Sequence, residues 1–113
     1  MWSSREKIKA SEREIQHTYR TNFIRRVQAL LDITDYTIYT EKVSRDQVTA
    51  DDGNREFVGI CVNQEEKICF LYHTRDLTDE DVVHELIHVA YPEFTEEEVS
   101  ISTARLLGTI GIR

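Results

Sequence analysis

The sequence predicts an α+β domain: an N-terminal backing helix, a small twisted, mostly antiparallel sheet, and two closing helices. Three observations predict it. Apolar residues recur at helical spacing through the first third, two short apolar runs flank a polar turn in the middle, and Thr78 and Thr95 offer helix caps in the last third. At 113 residues the chain has room for one compact core, so 1–113 reads as a single domain.

The backing helix is expected from about Ser4 to Leu31. Ile8, Ile15, Tyr19, Phe23, Val27 and Leu30 recur there at spacings of three, four or seven. His17 lies inside it with no partner motif beside it, and reads as a surface or boundary residue. Asp35–Val43, with Tyr36, Ile38 and Tyr39, reads as a strand. A polar stretch follows, and Asp51-Asp52-Gly53-Asn54 is a turn signal. Phe57–Val62 and Ile68–Tyr72 then form a hairpin across Asn63–Lys67.

Centring that turn on Glu65 sets Val62 opposite Ile68 and Ile60 opposite Phe70. Val58, Ile60, Val62, Ile68, Phe70 and Tyr72 would then share the core face, and Cys61 would face Cys69 on the other. The two thiols read as reduced, small apolar residues, with a cross-strand disulfide or metal pair as the alternative.

The second helix opens at Thr78, with Asp79, Glu80 and Asp81 in its first turn, where acids suit the helix dipole. It must end near Ala90, before Pro92. The third starts at Thr95 and places Val99, Thr103, Leu106 and Ile110 on one stripe; Gly108 and Gly111 weaken its end.

Composition bounds the function. Hydrophobic residues make up 40% and charged residues 31%, as in a folded globular chain. The net charge of −7 argues against nucleic acid, whose binders present basic faces. The start, Met1 to Lys7, has no apolar core of signal-peptide length, and no stretch approaches bilayer-spanning length. A cytoplasmic location without membrane attachment is therefore expected.

The second helix carries His84-Glu85-Leu86-Ile87-His88. Histidines four apart project from one helix face, so both rings can converge on one ion at about 2.0–2.1 Å. Glu85 points about 100 degrees round the helix, beside the ion, where its carboxylate can take a proton from water held there. This is the H-E-x-x-H logic of zinc peptidases. Val82, Val83, Leu86, Ile87, Val89 and Ala90 surround the motif and predict a buried, rigid helix. Three polar groups buried there without a shared partner would be costly.

Two histidines need a third protein ligand. No histidine follows His88, so a carboxylate is expected from Glu93, Glu96, Glu97 or Glu98. A helix antiparallel to the histidine helix could present one, and Glu98, one turn inside the third helix, is the first choice. Thr95-x-x-Glu98 also matches a capping box, in which Glu98 would serve the helix end.

The motif, the helix–sheet segment before it and the glutamate-bearing helix after it resemble the gluzincin metallopeptidases, and at this length the minigluzincins. The architecture spans most of the chain; only the five-residue motif is specific. The resemblance implies His84, His88 and Glu98 as zinc ligands and Glu85 as general base and acid. It also implies that one sheet edge lines the cleft and pairs with an extended peptide or protein substrate. The implied reaction is peptide-bond hydrolysis, with the oxyanion stabilised by a donor such as Tyr91, Tyr72, His73 or Arg105. Minigluzincins also occur in latent or self-associating forms, which suggests that the tail Gly108–Arg113 could enter a cleft of the same or a neighbouring molecule. Two alternatives stand beside the enzyme: a non-catalytic zinc-binding or regulatory module, and a metal-free structural domain.

Overall fold

The computed structural model describes residues 19–45 and 57–111. The start of the expected backing helix, with Ile8, Ile15 and His17, and the 51–54 turn lie outside these residues. Helix α1 (19–30) buries Phe23, Ile24 and Val27. Tyr19 and Leu30, expected on the same stripe, are 53% and 47% exposed. The inner face is rotated toward Ile24 and Gln28. The buried Gln28 amide donates to the carbonyls of Ile33, at 3.1 Å, and Tyr36, at 2.7 Å. Those two bonds pin the helix to the turn after it, where Asp32 takes a left-handed φ of 58° and stops the helix.

Strands β1 (Thr37–Lys42), β2 (Val58–Asn63) and β3 (Ile68–His73) form one sheet in the order β1-β3-β2. The β2–β3 hairpin is antiparallel, as expected, whereas β1 lies parallel to β3, so the sheet is mixed. The α+β class stands. β3 runs parallel to β1 because β2 enters the sheet at the end where β1 leaves it and the hairpin reverses the chain once more.

The hairpin register corrects the expected one. Asn63 faces Ile68, Val62 faces Cys69, Cys61 faces Phe70 and Ile60 faces Leu71. The turn is one residue shorter than a turn centred on Glu65, because Asn63 joins the ladder opposite Ile68, and a single step moves every β3 side chain to the opposite face. Cys69 and Leu71 are therefore fully buried, while Phe70 is 39% exposed. Tyr39, Phe70 and Tyr72 instead stack along the outer face, with ring centroids 5.3 and 6.1 Å apart. Cys61 and Cys69 are both free, and not opposite one another. This register makes a prediction. Leu71→Ala should cost about 2–5 kcal/mol of stability and Phe70→Ala about 1 kcal/mol or less, measured by chemical denaturation. The expected register would give the reverse order.

Helix α2 (Asp79–Ala90) packs Val82, Val83, Leu86, Ile87 and Val89 into the core with Cys69 and α1. Its start is fixed by a capping box. The Thr78 hydroxyl accepts from the Asp81 N–H and the Asp81 carboxylate accepts from the Thr78 N–H. Arg75 clamps the same carboxylate through both guanidinium ends, and with the backbone bonds this holds Asp81 below its ordinary pKa despite burial. Arg20 ties α1 to the same end, donating to Asp79 at 2.8 Å and to the Leu77 carbonyl at 3.0 Å. Helix α3 (Glu96–Ile110) follows a three-residue corner at 92–94 and packs on α2 through the buried Val99 and Thr103. It runs through Thr109 and Ile110 and ends at Gly111, which takes a φ of 84°. Residues 109 and 110 thus belong to the helix, and only 112 and 113 of the expected tail lie outside the described residues. No helix among the described residues is long and apolar enough to cross a membrane.

Candidate metal centre

His84 and His88 stand one turn apart on α2, each about a quarter exposed, with ring centroids 5.1 Å apart. Leu86, Ile87 and Val83 anchor the opposite face of the helix in the core, so the two rings are aimed outward by burial of their neighbours. The carboxylate that meets them is that of Glu96. Its two oxygens lie 3.3 Å from His84 Nε2 and 2.9 Å from His88 Nε2. One donor atom from each of the three residues falls within 4.8 Å of the others.

This set could hold a metal ion, and its donor types suit zinc. Two imidazole nitrogens and one carboxylate oxygen are a zinc ligand set. Ligand atoms about 2.05 Å from a tetrahedral ion stand about 3.3 Å apart, close to the His84–Glu96 separation. The Glu96 side chain is 75% exposed, so the cluster lies at the surface.

Glu98, the first choice from sequence, is elsewhere. Its carboxylate accepts the Thr95 N–H at 3.0 Å, and the Thr95 hydroxyl accepts the Glu98 N–H at 3.2 Å. The capping box claims Glu98. Helical spacing gives the reason: Glu96 shares a stripe with Val99 and Thr103, which are buried against α2, whereas Glu98 shares its face with the exposed Ile101 and Arg105. Thr95→Ala should cost about 1 kcal/mol of stability through the lost cap and leave metal binding intact, as read by thermal melting and metal analysis.

Glu85 sits beside His84 on the same helix, half-buried. Desolvation first, then the like charges of Glu96 and Asp81, push its carboxyl up to about 7. This raised carboxyl adjoins the histidine pair. A carboxyl so placed can gain and lose a proton near pH 7.

The expected oxyanion donors are dispersed. Tyr91 caps the C-terminus of α2 and stacks flat on Phe94, with centroids 4.6 Å apart. Tyr72 lies in the outer aromatic stack, His73 Nδ1 lies 2.8 Å from the Arg75 carbonyl oxygen, and Arg105 is exposed on α3. None of the four hydrogen-bonds to His84, His88 or Glu96 among the described residues. A shallow pocket of about 150 Å³ does open beside His84, between Glu80 of α2 and Ser100, Thr103, Ala104 and Leu107 of α3. The chain matches no family model, no curated protein and no solved structure.

Proposed function

We propose that this protein is a zinc-dependent peptidase whose ligands are His84, His88 and Glu96 and whose general base and acid is Glu85. One observation carries the proposal: two imidazoles on one helical turn meet a single carboxylate from the neighbouring helix, with a second, near-neutral carboxyl beside them. A bound zinc ion would supply a Lewis acid that polarises a carbonyl and acidifies a water molecule. Glu85 would accept that water's proton and pass it to the leaving amine. The buried face of α2 holds His84 and His88 in place so that little reorganisation accompanies the reaction.

The substrate follows from the surroundings. Among the described strands, β2 is the sheet edge that α2 approaches most closely, and its open side can pair with an extended chain. The pocket beside His84 has room for one small side chain. A peptide or an unfolded protein segment meets both requirements.

A non-catalytic zinc module would use the same three ligands, and it is favoured because none of Tyr72, His73, Tyr91 and Arg105 hydrogen-bonds to them among the described residues. One experiment separates the two. Zinc stoichiometry is measured together with cleavage of a general peptide substrate, on wild type and Glu85→Gln. The enzyme binds about one zinc in both proteins and cleaves only as wild type. Equal zinc with no cleavage by either leaves the binding module, and no zinc in either removes both readings.

A further inference from the structure

A second cavity in the described chain lies away from the histidine pair. It is a groove of about 650 Å³ between α1 and β1, at the sheet edge opposite β2. On the strand side it touches the consecutive residues 36–40. A cavity over one face of a strand meets alternate residues; one that meets every residue runs along the strand's edge. That edge has no strand partner among the described residues. In the parallel ladder the N–H groups of odd-numbered residues point to β3, as Thr37 does to the Lys67 carbonyl at 2.8 Å and Val43 to the His73 carbonyl at 2.8 Å. Ile38 and Thr40 therefore turn their N–H and C=O groups away from β3, into the groove. The opposite wall is the face of α1 that carries Arg20, Thr21, Ile24, Arg25 and Gln28.

The charge of this wall is opposite to that of the molecule. The chain carries −7 overall, yet among the described residues the charged side chains lining the groove are Arg20 and Arg25. Arg20 is committed to Asp79. Arg25 is exposed and meets no carboxylate among the described residues. A strand edge that is unpaired among the described residues, with a guanidinium above it, is a site for backbone pairing with an acidic chain.

We propose that the β1 edge is a docking site for an acidic, extended peptide segment of a partner protein, added as a fourth strand beside Thr37–Thr40 with one of its carboxylates on Arg25. The site does not depend on a metal and stands apart from the peptidase reading. It would hold that partner segment without cleaving it.

The test is fluorescence anisotropy on the full chain with a labelled short peptide alternating Glu and Val. Three controls accompany it: a Lys–Val counterpart, a version N-methylated at alternate residues, and a check by mass spectrometry that the peptide stays intact. The acidic peptide should bind at least about tenfold more tightly than the other two. Arg25→Glu should lose about tenfold for the acidic peptide and gain for the basic one, with zinc content and melting temperature unchanged. Thr40→Pro, which removes an outward N–H but no ladder bond, should weaken binding as N-methylation does. No binding, equal binding of both charges, or indifference to N-methylation overturns the proposal. So does a concentration-dependent dimer in sedimentation that Thr40→Pro abolishes, because the occupant would then be a second copy of this chain.

Discussion

Glu96→Ala should weaken zinc binding by more than about a hundredfold, since even the loss of an outer partner of a metal ligand costs 10–100-fold. Glu98→Ala should leave zinc affinity within a few-fold and cost about 1 kcal/mol of stability, the usual price of a broken helix cap. The contrast is sharp because the two acids are two residues apart on the same exposed first turn. They differ in direction. Glu96 points across to α2 and spans His84 and His88, whereas Glu98 folds back onto the Thr95 N–H. Both side chains are at the surface, so neither substitution threatens the core. Competition with a chelator of known zinc affinity reads the first effect, and thermal melting with zinc withheld reads the second. Retained zinc in Glu96→Ala together with its loss in Glu98→Ala would remove the assigned ligand set.

Glu85→Gln should abolish peptide hydrolysis, by about 10²–10⁴-fold if general acid–base transfer is its whole contribution, while zinc content stays at the wild-type level. The same variant carries a pH signature in the metal-free protein. The Glu85 carboxyl has its pKa raised in the fold from 4.5 to about 7, by desolvation and by the neighbouring Glu96 and Asp81. The folded state therefore binds this proton more tightly than the unfolded state does. The associated stability is full below the unfolded value of 4.5 and is lost as the pH rises through about 7. The melting temperature of metal-free wild type should fall between pH 5 and pH 8 (roughly that window) by more than that of Glu85→Gln. Zinc should shrink the difference, because a nearby cation favours the carboxylate. A wild-type profile parallel to that of Glu85→Gln would show that this carboxyl is not held up in the fold.

Much of the site was legible in the sequence. The i, i+4 histidines could only share a face once α2 was a helix, and the Thr78 cap, the acidic first turn and Pro92 bounded that helix at both ends. Glu85 was legible for the same reason. Glu96 was also within reach, since accepting the Thr95-x-x-Glu98 box removes Glu98 and the Val99–Thr103 stripe then points back to Glu96. Tyr91 was not legible, because the last residue of a helix has no fixed direction and a flat stack on Phe94 turned its ring.

The sequence by itself determined the α+β class, the α2 and α3 caps and the placing of two imidazoles and an acid within one helical turn, because caps and helical periodicity are local. The tertiary structure alone decided which carboxylate crosses from α3 to α2, which face of β3 is buried and that β1 runs parallel to β3. Each of these depends on where a distant segment packs, and a strand with apolar residues on both faces, such as Ile68 to Tyr72, carries no local mark of which side will meet the core.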